Sequence, residues 1–462
     1  MRYSLTLFTL LLSVLPFELQ ADCLSGIDVA QRTDVTLFEQ ISFINKKPSI
    51  WLIEDETPYT KNNFYNDMGI HIISGCSLID NVLELDFSLY GLTYATLHPV
   101  GKFESDSSRS RILIDQLRLV YTLSDQVQVE IGKLNAKRGL FFLRSPSDLS
   151  SHYYEGFKPT RIYDPILWAA YEAASWSSRL FVDTREHSLS LTIVPKLAYI
   201  NERYTASGSW SVEQRGNSSE EYLLSYTDYR VSDHTPGLWI RLGESRSVAI
   251  SDSYAYTPQL LINADMAYHT QQQWRHLSMQ SVAEAFNYNF PLALYNTHDK
   301  ASVELALAGQ YTSDRFDVFG LEYYFQSEGY SRVEWRQQRD FIYWLNETAG
   351  FEMLERAFDA YKYLMAAEIG NTMNKGMLQR KHYLNAYSSI QTANQGKFQP
   401  YLTVSLMDLS LILGLHYSRL LPYMDEKLEA FTGLYLTQGH ADSEFGLFGD
   451  TLGLYYGIKY YL

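Results

Sequence analysis

Six basic side chains fall between residues 133 and 161: Lys133, Lys137, Arg138, Arg144, Lys158 and Arg161. The same stretch holds two acids, Asp148 and Glu155, so it carries +4 inside a chain of formal charge −15. Cations gathered at a narrow place raise the local concentration of anions and repel other cations. Glu84, Asp86 and Glu130 lie on the polar faces of nearby segments. Opposed charge across an opening would set up a transverse field that orients polar solutes. The alternative for the same residues is a solvated loop whose cations pair with neighbouring acids. Pro146, Pro159 and Pro165 restrict the path of the stretch. Asp148, following Pro146-Ser147, can cap a turn through its carboxylate.

Covalent chemistry has no comparable support. The chain contains no GxSxG, HExxH, P-loop or GxGxxG, and its 11 histidines show no ligand spacing. His152 with Asp148, and His440 with Asp442, are the nearest approaches to an acid–base pair, and turn residues produce such pairs by chance. No metal site and no cofactor is expected. An acidic chain without basic blocks excludes a nucleic-acid binder.

The elements that must position these charges follow from alternation. In the last residues, Leu452, Leu454, Tyr456, Ile458, Tyr460 and Leu462 share one face, while Gly453, Tyr455, Gly457, Lys459 and Tyr461 share the other. A period of two over this length is a strand with one apolar face. The pattern recurs at 82–93, 111–123, 189–199, 260–266, 303–310, 411–418 and 428–436. Soluble strands average about 5–6 residues, whereas a tilted crossing of a bilayer takes about 9–11. The spacing predicts an all-β fold: one transmembrane antiparallel β-barrel over 22–462, with about 16–18 strands. Its apolar faces would meet lipid and its polar faces the lumen. Tyrosine, 37 of 462 residues, suits interfacial girdles, with Tyr65, Tyr295, Tyr311, Tyr323 and Tyr324 among the candidates. From Asp340 to Met373 the apolar period becomes three to four, which predicts a helical loop over 340–373.

Residues 1–21 read as a cleaved export signal, with Arg2, an apolar run from Leu5 to Leu15, Pro16, and Ala21 at the cleavage position. Export places Cys23 and Cys76 where a disulfide can persist. Two unpaired small hydrophobes are the other reading.

The stretch from Ile131 to Pro195 resembles Gram-negative outer-membrane porins, including the alginate-export type. The likeness is carried by Ile131-Gly132-Lys133, Ser145-Pro146-Ser147-Asp148-Leu149, Arg161, and Ser188-Leu189-Ser190-Leu191-Thr192-Ile193-Val194-Pro195. Residues 452–462 are similar to the closing strand of such barrels, although the chain ends on Leu462 where an aromatic residue is usual. The resemblance implies that residues 139–163 fold inward and narrow a channel in the bacterial outer membrane. The expected activity is passive diffusion of small hydrophilic solutes, anions among them. A polysaccharide export porin guiding an acidic chain, and a barrel-rim hydrolase, are the alternatives. The expected partners are outer-membrane lipid, lipopolysaccharide and the barrel-assembly machinery.

Overall fold

The computed structural model describes residues 32–52, 63–96, 108–134, 139–149, 174–200, 216–272, 274–297, 300–374, 378–392, 395–422 and 426–462. The export signal at 1–21 and Cys23 lie outside the described residues. Cys76 is disulfide-bonded and buried.

Long alternating segments leave every backbone polar group to be satisfied by a neighbour, and closing the sheet on itself removes unpaired edges. Among the described residues, eighteen strands do this in one antiparallel sheet. They are β1 (Asp34–Lys46), β2 (Phe64–Ile79), β3 (Leu83–Thr96), β4 (Ser108–Ser124), β5 (Val127–Leu134), β6 (Ser175–Asp183), β7 (His187–Val194), β8 (Glu221–Asp228), β9 (Gly237–Gly243), β10 (Ser247–Ala255) and β11 (Leu260–His269). After a two-residue pair outside the barrel, β12 (His276–Leu277) with β13 (Tyr295–Asn296), come β14 (Ser302–Thr312), β15 (Val318–Gln326), β16 (His382–Gln391), β17 (Gly396–Ser405), β18 (Leu411–Leu421), β19 (Leu428–Gln438) and β20 (Asp450–Tyr461). Each barrel strand pairs with its neighbours in order. β20 closes on β1, in register from Thr36 opposite Tyr461 to Asn45 opposite Leu452.

The outward face is apolar on all sides: Ile41, Leu191, Ile250, Leu307, Leu413 and Leu454 are all exposed there. A monomer in water does not sustain so large an apolar belt; a bilayer covers it. No helix among the described residues is long and apolar enough to cross a membrane. Connections at one end are short, such as 125–126, 184–186 and 256–259. At the other they are long, such as 135–174, 270–301 and 327–381. These are the turn end and the loop end below.

The helical loop differs from the expectation. In place of one pattern over 340–373 there are two helices, α2 (Arg332–Leu345) and α3 (Glu352–Asn374), in addition to a short α1 (Met279–Phe286). α2 starts eight residues before Asp340 because Ser331 and Glu334 form a reciprocal capping box. The break falls at 346–351, where Gly350 adopts φ +66. The three helices bury Val282, Trp335, Phe341, Ile342, Phe358, Met365 and Ile369 in one core at the loop end.

Several tyrosines expected in girdles face the lumen. Tyr65 and Tyr324 are 3% and 1% exposed and pack with Tyr383, Tyr401 and Tyr435 inside the barrel. The rings of Tyr401 and Tyr435 lie along the wall over Gly414 and Gly453 of adjacent strands. A Cβ at Gly453 would stand 1.8 Å from the Tyr435 ring. Tyr295 is buried among the loop-end helices, while Tyr311 does face outward.

Candidate functional site

Residues 139–149 lie inside the barrel, against the wall built by β9, β11 and β14–β17. Three inward-facing carboxylates on that wall hold them. Glu322 on β15 accepts the backbone N–H groups of Phe142 at 2.6 Å and Leu143 at 3.0 Å, and the side chain of Asn385 at 3.0 Å. Glu304 on β14 takes Arg144 in a two-point pair, Nε to Oε2 at 2.9 Å and Nη2 to Oε1 at 3.2 Å. Asp265 on β11 accepts from Ser147 twice, from its N–H at 3.0 Å and its hydroxyl at 2.6 Å. Further along, Arg241 on β9 donates to the carbonyl of Leu149 at 2.9 Å.

The local sequence explains this path. Pro146 occupies the second position of a turn in which Asp148 N–H donates to the Ser145 carbonyl. The Ser145 hydroxyl accepts from the N–H of Phe141 at 3.1 Å. Phe142 stacks on Tyr387 with ring centres 4.6 Å apart, and Leu143 enters the lumenal tyrosine cluster. A carboxylate accepting two backbone donors, or a two-point guanidinium, makes charge-assisted bonds that are the strong ones. Burial opposes the charge on Arg144, yet Glu304 beside it, with Tyr324, holds the guanidinium well above its ordinary range.

The facing wall, β3–β6, is built differently. Arg118 on β4 bridges Asp86 on β3, at 2.7 Å, and Glu130 on β5, at 3.0 Å. Glu130 also takes Arg179 on β6 at 3.1 Å, and Arg179 donates to Thr192 on β7 at 3.1 Å. Signs therefore alternate along one row across four strands. Asp86 and Arg118 remain about a third exposed, with side chains at 33% and 34%. Nearer the loop end, Ser88 bridges His71, at 2.8 Å, and Asp115, at 3.1 Å.

The sequence-derived site residues separate accordingly. Arg144 is in the lumen and is ion-paired. Lys133 is 1% exposed and donates to the Ile114 carbonyl. It follows Gly132, which adopts φ +144 where a Cβ would lie 1.9 Å from the Leu117 carbonyl oxygen. Lys137, Arg138, Lys158 and Arg161 lie outside the described residues. Asp86 and Glu130 do meet cations, but those of their own wall. Glu84 is an exposed neighbour on β3. The residues missed as site members are Arg118, Arg179, Asp265, Glu304 and Glu322. Their signal was available, because each is a charge at an inward phase of an alternating strand.

The two acid–base candidates fare as follows. His152 lies outside the described residues. Asp442 pairs with Arg339 at 3.1 Å. Among the described residues no group of His, Cys, Asp and Glu has the arrangement of a metal site.

No protein-family model and no curated protein matches this chain. Solved structures do. OccK8 (OprE) of Pseudomonas aeruginosa aligns over 94% of this chain and 98% of its own, with 9% identity and a TM-score of 0.51. OccK5 (OpdH) of the same organism aligns over 94% and 98%, with 9% identity and a TM-score of 0.50. OccK11 (OpdR), also from that organism, aligns over 93% and 95%, with 9% identity and a TM-score of 0.50. At these identities the likeness is one of fold.

Proposed function

We propose that this chain is an outer-membrane channel, not an enzyme, and that it passes small hydrophilic solutes by passive diffusion. One observation carries the reading: residues 139–149 are latched inside a closed barrel, opposite a wall of alternating charge whose Asp86 and Arg118 are about a third exposed. A loop held there narrows the lumen and sets a size limit. Asp86 and Arg118, the exposed end of the row completed by Glu130 and Arg179, then meet the passing solute. In this reading the lipid-facing belt sits in the bacterial outer membrane with the turn end toward the periplasm, and assembly is by the barrel-assembly machinery.

Charge selectivity divides in two. The described row is balanced in sign, so it orients dipolar solutes more than it sorts ions. Anion preference is assigned to Lys137, Arg138, Lys158 and Arg161. An export channel for an acidic polysaccharide draws less support, because tyrosines and the latched loop fill one side of the lumen. The likeness to the alginate-export type rests on the sequence of 131–195 alone.

The test is conductance in a planar bilayer. Purified protein should give discrete steps, and a KCl gradient should give a reversal potential on the anion side. Absence of steps from a folded, heat-modifiable barrel would remove the channel reading. A cation-side potential would remove the anion preference and leave the channel.

A further inference from the structure

Among the described residues, the outward face carries a polar pair, Glu39 on β1 and Asn66 on β2. Glu39 sits midway along β1, between exposed Leu37 and Ile41 on the same face, while Gln40 and Ser42 of the opposite face are buried in the lumen. Across the sheet its partners are Met68 on β2 and Ile458 on β20, both exposed and outward. The carboxylate thus lies among Leu37, Ile41, Met68 and Ile458, with Tyr456 and Tyr460 diagonal to it on β20. Five residues up a tilted strand place it about 12 Å above the start of β1, near the middle of a belt about 25 Å tall. Asn66 on β2, which faces outward between Phe64 and Met68, donates its amide to Glu39 at 3.3 Å. The amide oxygen of Asn66 is covered by its own chain and has no hydrogen-bond partner there, so the carboxylate of Glu39 is the acceptor that the pair presents.

Other outward acids differ. Asp252 lies near the turn end and pairs with His234 at 2.7 Å. Asp228 is the last residue of β8 and pairs with Arg230 at 2.6 Å. Both can reach water, whereas Glu39 cannot without crossing the belt. Ionisable groups held at membrane depth are costly and mark a site with a partner.

We propose that two copies of this chain associate side by side in the membrane through the outward face of β1 and β2, each presenting Glu39 and Asn66 to the same pair on the other. The occupant follows from the membrane itself. Two copies in one bilayer share orientation and depth, so a two-fold axis along the membrane normal brings identical heights together. The pair contains both a donor and acceptors, so it is complementary to itself, as an isologous contact requires. Asn66 has a second amide hydrogen for the partner's carboxylate. A different membrane protein would match this height only by coincidence. The inference rests on the membrane placement proposed above and is independent of conduction.

The experiment is disulfide trapping in liposomes. Ile41→Cys places a thiol beside the pair, Leu307→Cys places one on β14 at comparable exposure, and the unsubstituted chain sets the background. Under oxidant, Ile41→Cys should give a chain dimer on a non-reducing gel at least fivefold above Leu307→Cys. Adding Glu39→Leu and Asn66→Leu to Ile41→Cys should lower that yield at least fivefold, with single-channel conductance unchanged. Equal trapping at positions 41 and 307 overturns the proposal, even if the leucine variant fails to fold. So does trapping that is insensitive to the leucines. Loss of conductance steps with trapping intact would count against the channel reading alone.

Discussion

The two sides of the lumen use the same residue types to opposite ends. On the β11–β17 side, Asp265, Glu304 and Glu322 are 1%, 4% and 1% exposed, and each is bonded to a loop more than a hundred residues away in sequence. On the β3–β6 side, the acids are met by arginines one strand away. Burial makes the first set structural: an acid removed there strands a buried cation or N–H. In the second set Asp86 and Arg118, about a third exposed, are available to solutes, whereas the side chains of Glu130 and Arg179 are only 11% and 12% exposed; pairs in contact with water contribute little to stability. Partner distance and burial, rather than residue type, separate what holds the lumen's shape from what meets its contents.

The largest effect should come from breaking the first set. Glu304→Ala leaves the Arg144 guanidinium, four-fifths buried, without its carboxylate, and removing one partner of a buried pair costs about 3–5 kcal/mol. Urea unfolding in micelles should show that loss, and Arg144→Leu added to Glu304→Leu should restore much of it. If Glu304→Ala unfolds like the wild type, the latch is not holding buried charge.

A pH effect is expected next, at the loop end. Glu444 is buried in a 3-10 turn and bonded to Tyr383 and to the N–H of Gln379. Burial, reinforced by nearby Asp408, pushes its carboxyl up from 4.5 to about 8. A raised carboxyl binds a proton in the docked state that it does not bind when released. Docking of residues 439–449 should therefore be strongest below pH 4.5 and weaken as pH rises to about 8, then level off. Hydrogen exchange of 439–449 should quicken from pH 6 to pH 9 after correction for intrinsic rates. Glu444→Gln should flatten the profile, and an unchanged profile would show that this carboxyl does not control docking.

The smallest stability change belongs to the exposed row. Arg118→Ala should cost about 0.2–1 kcal/mol. It should nonetheless move the reversal potential toward cations, by freeing Asp86. A large stability loss with no shift in selectivity would reverse the assignment of the two sides.

Much of the barrel was legible in the sequence, because a period of two survives in single strands such as 411–418 and 452–462. The inward course of the loop was an expectation from the porin resemblance of 131–195; its charge and prolines alone left a solvated loop open. The loop's partners were not legible: Glu304 and Glu322 stood out only as polar-phase residues, and nothing local links them to Arg144 or Phe142. Lys133 misled because its ammonium is buried and donates to the Ile114 carbonyl instead of facing the lumen as a free charge. Tyrosine misled because the same ring suits a membrane interface and a lumen packed over glycine. The two-helix loop was half legible, since apolar periodicity runs across a break that only the cap at Ser331 and the turn at Gly350 define.

The central claim is that buried carboxylates hold residues 139–149 as the narrow part of the lumen. Single-channel conductance of the Glu304→Ala, Glu322→Ala double variant, folded and heat-modifiable in planar bilayers, tests it most directly. The account predicts steps clearly larger than those of the wild type, together with passage of larger neutral solutes. Steps of wild-type size with an unchanged solute limit would contradict it.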